Sequence, residues 1–291
     1  MTGPTAAPAR PRPLSMASPR RAVAALASNV VLLVIAACFL VPLAWLFLAS
    51  VDTAPSQQTR VPTDFTLEHY AAVLTPERTL LPLWNSTVLS AGSAIVTVIV
   101  AVLAAYPISR YNSRFNTPYL SAILFGTCLP ITAIMVPVYS LFVRLGMLDN
   151  LAAVTFFLAA TSLPMAIWMT KNFMDSVPVS LEEAAWVDGA SAMRALRLIV
   201  LPLMRPGLAV VFIFVFIQAW GNFFVPFILL LSPSKQPASV SVFSFFGQYG
   251  TVAYGELAAY SLIYSLPVVV LYVIVSKGIG GSFAMQGAIK G

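Results

Sequence analysis

Leu181-Glu182-Glu183-Ala184-Ala185-Trp186-Val187-Asp188-Gly189-Ala190, followed by Ile199-Val200-Leu201-Pro202, forms a polar interval between two long apolar segments. Ser180 and Glu183 have the spacing of a capping box, in which the serine oxygen accepts from the Glu183 amide and the glutamate reaches back. That predicts a short helix over 181–187. Asp188-Gly189 is a turn pair, because glycine takes positive φ at little cost. A second helix over 190–199 follows, with Arg194 and Arg197 on one face. Leu201-Pro202 then closes it. Two short helices around a glycine turn, inserted into a loop of a membrane protein, present a surface to a soluble partner. Ala184 and Ala185 let the helix axis approach that partner, and Val187, Leu196 and Ile199 are expected to anchor the pair. The plainer alternative confines Glu183 to capping and the alanines to helicity.

The rest of the chain supplies the membrane. A soluble domain carries roughly 25% charged residues, whereas this chain has 9% charged and 59% hydrophobic residues. Six stretches, 22–50, 86–109, 117–142, 151–170, 206–231 and 257–276, contain no Asp, Glu, Lys, Arg or His. Each reaches the ~20 residues that cross a hydrocarbon core, and inside lipid the backbone must bond to itself. The expected fold is all-α, a polytopic membrane protein with six transmembrane helices and the helix pair between spans four and five. Of the sixteen Lys and Arg residues, Arg60, Arg78, Arg144 and Lys235 fall in one set of alternate connections, and the other twelve fall in the opposite set or the termini. The positive-inside rule places both termini in the cytoplasm. This topology accounts for the net charge of +6, so no nucleic-acid partner is inferred.

Residues 1–21, rich in Pro, Ala and Arg, are expected to be a disordered cytoplasmic tail, and 22–291 a single transmembrane domain. Cys38 and Cys128 lie within apolar spans and read as packing residues, not as a disulfide. The outer connections 51–85 and 232–256 are open to an external partner or are plain solvated links. Pro130 and Pro137 interrupt span three, Pro164 span four and Pro267 span six, and broken helices often border a substrate path.

Glu183, Ala184, Ala185, Gly189, Ile199, Leu201 and Pro202 together resemble the signature loop of the membrane subunits of ABC importers. The likeness extends over 22–291. Ala104-Ala105-Tyr106 to Arg110, Leu129-Pro130 through Leu145-Gly146-Met147-Leu148-Asp149-Asn150, and Pro206-Gly207-Leu208-Ala209 are similar to the carbohydrate-importing branch. The ending Gly287-Ala288-Ile289-Lys290-Gly291 is similar to the maltose-type second permease subunit. Trp220-Gly221-Asn222-Phe223 and the segment 281–286 depart from that branch's usual patterns. The resemblance implies a multi-pass bacterial plasma (inner) membrane protein forming half of a translocation path. It implies pairing with a second permease subunit, a cytoplasmic ATPase dimer and an extracytoplasmic solute-binding protein. No cofactor is expected in this chain, and ATP and Mg belong to the partner ATPase. The seven loop residues would receive the push of ATPase closure.

The chain itself lacks a motor. No Lys is followed by Ser or Thr, as a P-loop requires, and no span holds the carboxylates or histidines of usual ion relays. The lone His69 lies in an outer loop. No plausible metal cluster, nucleophile triad or paired carboxylates suggest an enzyme. A permease for another small solute, or a six-span secondary carrier or facilitator, stays open. The expected solute path runs past Asn85, Thr132, Tyr139, Gln218, Trp220, Asn222 and Phe223. Amides there suit sugar hydroxyls and aromatic rings suit sugar CH faces, with interhelical hydrogen bonds as the alternative use of the amides.

Overall fold

The computed structural model describes residues 19–246 and 252–288, with side chains from 26 to 277 within those limits. The tail expected to be disordered lies outside the described residues up to position 18, and positions 19–21 instead open the first helix. Among the described residues thirteen α-helical segments follow in order: α1 (Pro19–Val51), α2 (Glu68–Val73), α3 (Leu81–Arg110), α4 (Asn116–Gly126), α5 (Ile131–Arg144), α6 (Leu151–Asp175), α7 (Val179–Val187), α8 (Ala192–Ala195), α9 (Leu201–Leu203), α10 (Arg205–Trp220), α11 (Phe224–Leu229), α12 (Ala238–Ser241) and α13 (Tyr254–Ala288). Among the described residues the extended pairings are two isolated bridges, Asp52 with Phe65 and Phe246 with Val252.

Among the described residues four helical stretches are long and apolar enough to cross a membrane, at 26–51, 76–110, 151–175 and 254–277. The expected third span is not one rod: α4 and α5 meet at 86°. Pro130 stands at the start of α5 with ψ 130, so the chain turns at Thr127–Pro130 while Pro137 remains inside α5. The expected fifth span is divided as well. α10 has 16 residues, about 24 Å of rise, and Gly221-Asn222-Phe223 separates it from α11.

Two π-turns, Pro76–Leu80 and Leu196–Val200, each run into a Leu-Pro pair, Leu81-Pro82 and Leu201-Pro202. A proline inside a helix clashes with the carbonyl four residues back and lacks a donor, and widening the preceding turn gives that carbonyl room. Leu201-Pro202 therefore does not close the second short helix as expected. Helical backbone runs from Ala192 to Leu203, and the break, an 80° bend, comes at Met204.

The centre of the molecule is α3 packed along α6, with α10 against both. Small and hydroxylated residues let the axes approach. Ser93 donates to the Thr155 carbonyl and Thr97 to that of Ala159, and Gly92 faces the Thr155 methyl. Apolar clusters extend this contact: Leu89, Phe142, Leu158 and Leu229 toward one end, Val102, Met174, Leu196 and Val200 toward the other. α1 packs chiefly along α13 and buries none of its most apolar window within the chain. Cys38 and Cys128 are free, as expected, but both are exposed on the chain's own surface. Neither is a packing residue within this chain: Cys38 rides on α1 and Cys128 lies in the α4–α5 break, where no second helix covers them.

Candidate functional site

The 179–203 segment is a helix–turn–helix. α7 begins two residues before the expected start, with Pro178 preceding its first turn, so Ser180 is already inside the helix and no capping box forms. Asp188 ends α7, and Gly189 turns the chain at φ 85. A Cβ there would touch nothing within 4 Å, so the requirement for glycine is conformational. The Ser191 hydroxyl accepts from the Arg194 amide and starts α8. Glu183, Ala184 and Gly189 lie on the open face, Ala185, Ile199, Leu201 and Pro202 are half-buried, and Arg194 and Arg197 are exposed. Leu196 does anchor the pair, with Val200 and Met204 one and two turns on. Val187, expected to anchor it, is 88% exposed.

The sequence reading missed the residue that fixes this loop. Glu182, beside Glu183, is fully buried. Its carboxylate accepts from Arg110 Nε at 2.5 Å and from the Tyr106 hydroxyl at 2.9 Å. Arg110 ends α3, and its Nη2 donates to the Val177 carbonyl. Ser109 donates to Asp175 at the end of α6. The signal available in sequence was Tyr106 and Arg110, one helical turn apart at the end of a span, but their partner is 76 and 72 residues away.

A cavity of about 410 Å³ is lined by Thr127, Thr161, Ser162, Gln218 and Asn222, with Leu158, Met165 and Phe214 among its apolar walls. It is bounded by the α4–α5 break, the stretch of the continuous α6 before Pro164, and the end of α10. Irregular backbone at membrane depth is tolerated where it lines such a space. The three hydroxyls donate to carbonyls of their own chain segments, Thr127 to Leu124 and both Thr161 and Ser162 to Leu158. Their oxygens therefore face the cavity as acceptors. Asn222 Oδ1 accepts from the Val225 amide, which leaves its NH2 as a donor, and the exposed Gln218 offers both kinds of group. The lining is uncharged and suits a ligand rich in both donors and acceptors.

Of the seven expected path residues, Gln218 and Asn222 meet in this cavity. Asn85 is 5% exposed and its amide holds the carbonyls of Ser234 and Gln236. Trp220 is buried in a stack between Phe216 and Tyr264. Phe223 stacks on Phe227 and Phe243. Thr132 and Tyr139 are exposed on α5 and do not line the cavity. Thr127, Thr161 and Ser162 were missed, because Ser and Thr are common in helix contacts and only the folded arrangement brings these three together.

Residues 97–280 match the family described as "Binding-protein-dependent transport system inner membrane component". The chain belongs to this family. It is thus a multi-pass inner-membrane protein and the permease component of an ABC importer; in this family the ATPase is a separate chain. The glucose import system permease protein GlcU of Saccharolobus solfataricus is 31% identical over 238 residues, 79% of this chain and 82% of the relative. The trehalose/maltose transport system permease protein MalG of Thermococcus litoralis is 29% identical over 230 residues, 78% of this chain and 82% of its own length. In fold, the permease resembles a chain of a bacterial ABC transporter involved in the import of the acidic polysaccharide alginate. That likeness has a TM-score of 0.78 at 22% identity and covers 89% of this chain and 98% of that one.

Proposed function

We propose that this permease forms half of the translocation path for an uncharged carbohydrate and takes its driving force from a separate cytoplasmic ATPase dimer through the 179–203 loop. The observation that supports the coupling assignment is the helix–glycine–helix packed on the ends of α3 and α6, with Glu183, Ala184 and Gly189 on its open face. Residues 22–291 form one six-span domain with both termini cytoplasmic, in which α4 with α5 and α10 with α11 each make a broken span. A second permease subunit completes the path, and an extracytoplasmic solute-binding protein delivers the solute. Support for a sugar comes from the uncharged hydroxyl and amide lining of the cavity and from relatives whose names specify sugars. Closure of the ATPase pair on ATP and Mg displaces the loop, and the bundles rock between inward- and outward-facing states.

Affinity purification of the full-length chain from native membranes tests the assembly, followed by sugar screening of the co-purifying binding protein. An ATPase and a second permease are expected in the complex, with uptake that stops when ATP is depleted. Gly189→Val is expected to abolish uptake and substrate-stimulated ATP hydrolysis. Glu183→Gln is expected to weaken retention of the ATPase in a pull-down. Uphill accumulation by the chain alone in vesicles without an ATPase would refute the proposal.

A further inference from the structure

Glu182 is an ionisable residue with no route to solvent or to a docking protein. A buried ion pair gains little stability over apolar packing of the same volume, because desolvating both charges offsets most of the attraction. Its distinctive property is direction. The hydrogen bonds fix separation and angle where leucines would allow sliding.

The connections around this pair span four elements. Arg110 Nε binds Glu182 on α7, Arg110 Nη2 binds the Val177 carbonyl in the α6–α7 link, and Arg110 Nη1 donates to Ser109, which in turn donates to Asp175 on α6. The Tyr106 hydroxyl lies 2.9 Å from Glu182 and 3.4 Å from the Ala192 carbonyl of α8. The end of α3 is thereby tied to both sides of the exposed Gly189 turn. On its far side α3 is held to α6 through Ser93 and Thr97.

We infer that Arg110, Glu182 and Tyr106 form a strut that makes α7 and the end of α3 move as one body, so that displacement of the 179–203 loop is delivered to the α3–α6–α10 core. These are positioning residues; Glu182 is buried away from any ATPase, and none of the three lines the cavity. The inference rests on the reading of the loop as the ATPase contact.

The test uses the full-length chain with its co-purified partners, Cys38→Ser and Cys128→Ser so that neither exposed native thiol is labelled, and spin labels introduced by Ser180→Cys on α7 and Tyr111→Cys beyond α3. The inter-label distance is read by electron paramagnetic resonance before and after trapping with MgATP and orthovanadate. With the strut intact the distance is expected to stay constant on trapping. In Glu182→Gln, and in Arg110→Met with Glu182→Leu, it is expected to shift or broaden on trapping. If Glu182→Gln fails to assemble, the double variant decides, because it leaves no unpaired buried charge. A merely structural pair predicts that an assembled variant keeps the constant distance, and that result would overturn the strut. So would a distance that changes on trapping while the strut is intact. A parent complex that traps no nucleotide would overturn the loop assignment and the strut with it, whereas trapping with independent motion overturns the strut alone.

Discussion

The carboxylate of Asp149 and the hydroxyl of Ser232 meet at 2.6 Å although 83 residues separate them along the chain. Asp149 Oδ1 also accepts from the amides of Leu231 and Ser232, and Lys235 Nζ approaches both its Oδ2 and its carbonyl. One residue in the left-handed region, at φ 57, thus latches the α5–α6 turn to the segment after α11.

The Ser232 hydroxyl and amide, and then the Lys235 ammonium, hold the Asp149 carboxyl well below the usual carboxylate range. Asp149→Asn suits the same backbone but removes the charge, and bonds to charged groups contribute about 1.5–3 kcal/mol. A lower midpoint in thermal unfolding is expected. Because the folded-state pKa is depressed, the carboxylate's contribution is complete above the unfolded value of about 3.9. It is lost only as pH falls through the depressed folded value. The gap between Asp149→Asn and the parent should therefore be flat from neutral pH down to about 5 and narrow only below about 4.

Glu182→Ala leaves Arg110 buried and unpaired, and should destabilise the chain by about 3–5 kcal/mol. Arg110→Met combined with Glu182→Leu should recover most of that loss. A double variant no more stable than Glu182→Ala, measured by denaturation in detergent, would contradict the burial of both side chains.

A Cβ on Gly92 would stand 2.8 Å from the Thr155 methyl. Gly92→Ala is expected to destabilise the α3–α6 contact by about 1–3 kcal/mol. Thr155→Ser removes that methyl and keeps the hydroxyl bonded to the Leu151 carbonyl, so it should relieve most of the effect. Stability of the two single variants and the pair forms a cycle that reads this coupling directly.

Asn222 has two separable roles. Asn222→Ala loses the acceptor for the Val225 amide, worth about 1 kcal/mol at a helix start, as well as the donor facing the cavity. Asn222→Asp keeps the acceptor and removes the donor. If Asn222 contacts the solute, both variants should lower uptake while only the alanine lowers the unfolding midpoint.

Legibility in sequence followed interaction range. Four of the six apolar runs fall on helices long and apolar enough to cross a membrane, because burial in lipid is a property of composition, and Gly189 gave its turn because φ is local. Pro130 marked the α4–α5 break correctly, yet Pro202 did not end a helix, because the π-turn over 196–200 absorbs it. Ser180 and Glu183 matched a capping box by spacing alone, and Pro178 pre-empted it by starting α7 earlier. Glu182 was passed over in favour of Glu183 because Arg110 and Tyr106 approach it only after folding. Asn85 and Trp220 suit a solute path by chemistry, and in the folded chain their side chains are engaged by long-range partners at Ser234 and Tyr264 that sequence spacing does not reveal.

Adjacent glutamates facing opposite media separate two tasks within one turn of helix. What Glu182 grips belongs to its own polypeptide, while Glu183 faces outward from the described residues. If the proposed motor docks on α7, its outward residues can be rewritten for a foreign ATPase, and a chimaeric transporter can exchange that skin while the inner attachment stays native.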